Sequence, residues 1–92
     1  MDRVTNKNPV SDLVDAVYSQ DADTALNLLD EALRTGGPCG VRDLAKAASR
    51  LGASVTFGIE ANATHETIFL SRVRYGYPSA KVAALTVGRC QR

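Results

Sequence analysis

The sequence predicts an all-α domain, a compact bundle of five or six helices that includes a helix-turn-helix; the alternative is an α/β fold with a β-hairpin at 55–75. Three observations lead there. The apolar residues are mostly Ala, Leu and Val, with no Trp, two Phe and three Tyr, a mixture that suits closely approaching helices better than a sandwich of sheets. Apolar residues recur at three- and four-residue spacing through much of 12–51. Between Phe57 and Ile68, small, turn-forming and hydroxyl residues fall at the offsets that two steeply crossing helices require.

At 92 residues the chain is one domain, with a flexible polar N-terminus over 1–9 and a single helical body over 10–92. Ser11 can cap a first helix, Asp12 to Ser19, with Leu13 and Val17 on its apolar face. Asp21 or Asp23 starts a second helix that ends near Thr35, striped by Ala25, Leu26, Leu29, Ala32 and Leu33. Gly36-Gly37-Pro38 stops it. A third helix runs from Val41 to Leu51, with Val41, Leu44, Ala45, Ala48 and Leu51 inward, Arg42, Lys46 and Arg50 in water, and Gly52 at its end. Pro78 and Ser79 open a last helix, Ala80 to Val87.

The stretch from Ala53 to Tyr77 fits two templates. Val55, Phe57 and Ile59 alternate with Thr56, Gly58 and Glu60, and Thr67–Tyr75 is rich in β-branched residues; Asn62-Ala63-Thr64 would then be a hairpin turn. At helical spacing the same residues make a helix-turn-helix at about 54–75. Gly58 admits the crossing helix, Asn62 takes the left-handed turn, Thr64 caps the second helix, and Phe57 and Ile68 anchor the pair. On this template Thr64 to Arg74 is a recognition helix, with His65, Glu66 and Thr67 toward base edges and Ser71, Arg72 and Arg74 toward phosphates. Lys81 adds a cation on the following helix.

Charge patterning agrees with a polyanionic partner. Residues 1–40 carry three basic and seven acidic side chains, −4 in all, whereas residues 41–92 carry eight and three, +5. From Thr67 onward there are five basic residues and no acid, so DNA is the expected partner, with salt-dependent affinity.

From Leu26 onward the sequence resembles the small addiction-module antidote proteins, HigA-like antitoxins with a Cro-type, lambda-repressor-like helix-turn-helix. Their pattern LA-x-x-x-G-[LI]-S-R-E-x-L-Y is matched by FGIEANATHETIF: Phe57 stands for Leu, Gly58 for Ala, Asn62 for Gly, Thr64 for Ser, Glu66 for Glu, Ile68 for Leu and Phe69 for Tyr. Gly76-Tyr77-Pro78 stands for the family's G-N-P. The resemblance implies a homodimeric, sequence-specific repressor of its own operon that also binds a toxin protein. A phage-type repressor, or a small inhibitor or immunity module that binds protein and not DNA, are the alternatives.

Other chemistry has little to stand on. His65 is the only histidine and neither cysteine lies within four residues of it, so no metal ligand set, no cofactor and no catalytic site are expected. Asn62-Ala63-Thr64 matches a glycosylation acceptor by chance, and Tyr75 and Tyr77 are expected as lids on the core. No apolar run approaches the ~20 residues of a membrane span. A polar N-terminus without a signal-type stretch, and two cysteines with no paired spacing, predict a cytoplasmic protein with free thiols at Cys39 and Cys90.

Overall fold

The computed structural model describes residues 8–52 and 54–91, and the expected flexible stretch falls mostly on residues 1–7, outside them. The chain forms two helices and then three strands: α1 (Pro9–Tyr18), α2 (Ala22–Leu51), β1 (Val55–Ala61), β2 (His65–Arg74) and β3 (Tyr77–Gly88). It is therefore a two-layer α+β domain, not an all-α bundle. The segment expected as a helix-turn-helix is a β-hairpin, and the expected last helix, Ala80–Val87, lies within β3.

The helical layer follows its caps. Asn8, not Ser11, caps α1: its side-chain oxygen accepts from the Ser11 amide at 3.2 Å, with Pro9 in the first turn where no amide donor is missed. Asp21 caps α2, accepting from the Thr24 amide at 3.2 Å and the Thr24 hydroxyl at 2.7 Å. The helix α2 turns a corner at Gly37, whose φ of 65° and ψ of −162° are non-helical and natural only to glycine. The corner is tight: a Cβ on Gly40 would stand 2.9 Å from the Ala32 carbonyl oxygen. Gly52 closes the helix, its amide donating to the Ala48 carbonyl. Leu51, expected on the apolar stripe, is exposed.

The strands form one antiparallel sheet in the order β1-β2-β3. Register between β1 and β2 is unbroken from Val55↔Arg72 to Ala61↔Glu66. Between β2 and β3 it runs from His65↔Gly88 to Arg74↔Tyr77, with irregularities between Leu70 and Ser71 and between Ser71 and Val73. Asn62 does not adopt a left-handed conformation; its side-chain oxygen accepts from the amides of Thr64 (2.9 Å) and His65 (2.8 Å), which closes the β1–β2 turn.

One face of the sheet packs on the helices. Val55, Ile68, Leu70, Ala83 and Val87 meet Leu13, Val17, Ala25, Leu29, Val41, Ala45 and Ala48 in a single core. Each strand thus buries alternate residues, and among the described residues no layer covers the other face of the sheet. Cys39, just past the helix corner, is disulfide-bonded to Cys90, just past β3, so the thiols are not free. Among the described residues, no helix is long and apolar enough to cross a membrane.

Candidate functional site

The residues expected on one recognition helix are strung along a strand instead. Nine steps of β2 separate His65 from Arg74, about 30 Å of extended chain, and their side chains leave on two faces. Thr64 and His65 sit at the β1–β2 turn, joined by a 2.8 Å bond between the Thr64 hydroxyl and His65 Nδ1. Glu66 points into the helical layer and is only 4% exposed, with Oε1 buried and lacking a hydrogen-bond partner. It cannot reach a base edge from there. Thr67 lies on the open face, bonded at 2.8 Å to the hydroxyl of Thr86, its cross-strand partner. Ser71 is buried.

The cations are divided too. Arg72 stacks its guanidinium over Tyr18, 4.7 Å from the ring centroid, on the helical side. Lys81 places Nζ 3.9 Å from the centroid of Phe69, on the open side, and Arg74 ends β2 exposed. Arg89 lies at the opposite end of the sheet, donating to the Asn62 carbonyl at 3.4 Å. Of these four cations, Arg74 alone stands at the β2–β3 turn.

That turn is the feature that the sequence reading missed. It is a two-residue loop, Tyr75-Gly76, in which both φ angles are positive, +54° and +80°. Two positive φ values match the right-handed twist of the flanking strands, and Asn-Gly or Gly-Gly is the usual choice. Here the first position holds a tyrosine in the left-handed region, a conformation bulky side chains rarely adopt. Neither neighbouring ring covers the core as expected: Tyr75 is 91% and Tyr77 76% exposed. The base of the tip is fixed by Ser79, whose hydroxyl donates to the Arg72 carbonyl at 2.6 Å. Arg74 is exposed at the end of β2, so the tip presents two aromatic rings beside a cation. The signal available in the sequence was the run Arg74-Tyr75-Gly76-Tyr77-Pro78, a turn pair between two alternating segments.

Behind the tip, the open face is a shallow surface with Phe69 at its centre. Gly58 is its neighbour on β1, so the ring has an uncovered flank, and Thr56, Glu60, Thr67 and Thr86 complete the polar surround. Among the described residues no group of three or more His, Cys, Asp or Glu side chains is placed to hold a metal ion. Comparison with protein-family models, with curated proteins and with solved structures finds no match to this chain.

Proposed function

We propose that this chain is a protein-recognition module that presents the β2–β3 hairpin tip to an acidic surface on a partner protein. The observation that carries this reading is Tyr75, 91% exposed while its backbone is held at a φ of +54°. A strained, solvent-facing aromatic gains nothing for folding and is characteristic of positions kept for contact. Tyr and Arg dominate the energetics of protein interfaces because a rigid amphipathic ring and a forked cation bury much area at small entropic cost. Tyr75, Tyr77 and Arg74 supply that set on a hairpin whose base is hydrogen-bonded.

Magnitudes favour protein over DNA. Arg72 is occupied by Tyr18, Lys81 lies over Phe69 behind the tip and Arg89 lies at the far end, leaving Arg74 at the tip. Neutralising about one phosphate gives a salt slope near −1, well short of the 6–10 contacts of a typical DNA reader. The inhibitor or immunity class is the closest description. Of the antitoxin reading, toxin binding is compatible with this surface, whereas operator recognition has lost its helix and would rest on the hairpin as a ribbon. No enzymatic activity is part of the proposal. The Cys39–Cys90 bond accords with oxidising surroundings and not with the cytoplasm, since cytoplasmic thiols are kept reduced.

The test is paired. Wild-type protein and the Tyr75→Ala/Tyr77→Ala double variant are immobilised, and proteins retained from an extract of the source organism at physiological salt are identified. A protein held by the wild type and lost from the variant is the expected result. Equal retention by both, or tight tip-dependent binding of duplex DNA in fluorescence anisotropy, overturns the reading.

A further inference from the structure

We infer that β1 is a dimerisation strand: two copies of the chain pair through this free edge, antiparallel and centred on Gly58, to make one continuous six-stranded sheet. The hydrogen-bond pattern locates the free edge. The Asn62 amide donates to the His65 carbonyl at 2.8 Å, and the Val73 amide donates to the Ser54 carbonyl at 2.6 Å. Even-numbered residues of β1 therefore face β2, and the alternation of an antiparallel ladder turns the backbone groups of Phe57, Ile59 and Ala61 outward. Among the described residues no hydrogen bond to those three outward amides or carbonyls is formed. An unbroken row of unpaired donors and acceptors is a template for another strand.

The two edges of the sheet are not alike. The outer strand β3 carries Pro78, Lys81 and two register irregularities, the devices that discourage edge pairing. In β1 there is no proline, no lysine and no bulge; its only charge is Glu60. Gly58 and Ala61 are exposed, so the edge is open to a partner.

The occupant is a second copy because the strand complements itself. Gly58 is the midpoint of Val55–Ala61, so a two-fold axis there pairs every residue of the strand. Phe57 then faces Ile59 of the second copy and Val55 faces Ala61, each pair on the apolar side of the sheet. Thr56 faces Glu60, so the two carboxylates stand apart at opposite ends of the joint. Phe57 and Ile59, only partly buried in one copy, gain cover. At the axis two glycines meet across a non-hydrogen-bonded pair, where Cα atoms come within about 4.5 Å. A residue without a side chain suits that approach, and nothing among the described residues of the protomer requires it: none of their atoms lies within 4 Å of a Cβ built on Gly58.

Gly58→Lys tests this with little risk to the fold, since the new side chain enters open space on the solvent face. Sedimentation equilibrium of the full chain across a wide concentration range should show the weight-average mass rising about two-fold for the wild type, by mass action. The amides of Phe57, Ile59 and Ala61 should become protected from hydrogen exchange over the same range. Gly58→Lys, with an unchanged circular dichroism spectrum, should stay at monomer mass with those amides exchanging freely. A wild type that is monomeric throughout, including one whose β1 takes up another protein's strand, overturns the inference. So does a dimer whose three amides stay unprotected or whose mass survives the substitution.

Discussion

Tyr75 places a structural cost and a binding surface in one residue. A left-handed φ costs a residue with a Cβ about 1–2 kcal/mol relative to the right-handed region, and Asn tolerates it better than Tyr. Tyr75→Asn should therefore raise stability, by about 1 kcal/mol, seen as a higher denaturant midpoint with an unchanged slope. The same substitution should weaken retention of the partner, because the ring is gone; a fall in stability would mean that the ring holds the hairpin together. Asp21 offers a second check at this scale. Hydrogen bonds from the Thr24 hydroxyl, and next from the Thr24 amide, hold its carboxyl below the ordinary carboxylate value. A folded-state pKa below the unfolded one contributes stability that is present above the unfolded pKa and lost as pH falls through the folded pKa. Thermal melts of wild type and Asp21→Ala should differ at neutral pH, with the variant lower, and converge in acid below the carboxylate range. Curves separated equally at every pH would show that the charge of Asp21 is irrelevant to its capping.

At the scale of elements, the helical half was legible because its signals are local. Asp21 as cap, the buried positions Ala25 and Leu29 and the stripe Val41, Leu44, Ala45 and Ala48 all stand where spacing put them, while Gly36-Gly37-Pro38, expected to end a helix, makes a corner inside α2. The second half was not, for a physical reason. Gly58, Asn62 and Thr64 have the sizes and turn preferences that both a helix pair and a hairpin want, so offsets alone cannot separate the two. What decides is pairing across the sheet: Ile68 must lie beside Ile59 and Leu85, and Leu70 beside Phe57 and Ala83, on one covered face. That period-two face was visible in Val55, Phe57 and Ile59, and strand propensity pointed the same way. Over Ala80–Val87 the small residues Ala83 and Ala84 blurred the alternation, and Val82, Ala83 and Leu85 passed for a helical face. The helix expected to carry the candidate site went with the fold. Glu66, assigned to DNA, is turned into the core by the strand pleat, and Ser71, on the opposite face beside Thr56 and Lys81, is buried too, while Tyr75 and Tyr77, assigned to the core, stand at the tip.

For the whole molecule, the disulfide is the tie between the two layers that no spacing announced, because its halves lie 51 residues apart and meet only through the fold. The helix corner at Gly37 turns Cys39 toward the end of β3, where Pro38 would lie 3.8 Å from a Cβ on Gly88, and Cys90 completes the bond with a Cα–Cα distance of 4.9 Å. A core made largely of alanine, valine and leucine in a domain this small leaves little margin, since short chains bury a smaller share of their surface. Closing a loop of 51 residues removes entropy from the unfolded chain worth about 4 kcal/mol, a sizeable part of the 5–15 kcal/mol that such domains possess. Cys39→Ser/Cys90→Ser should accordingly lower the melting temperature by roughly 15–30 °C at this chain length. Native-state hydrogen exchange on the oxidised and reduced protein locates the effect. If the bond also fastens the native layers, amides of the corner and of Leu85–Gly88 should lose protection ahead of α1 and the β1–β2 ladder. If it acts on the unfolded chain alone, protection should drop uniformly. A shift of only a degree or two would mean that the helix corner and β3 hold together through Pro38, Val41 and Val87 alone, and that the bond constrains little that packing has not already fixed.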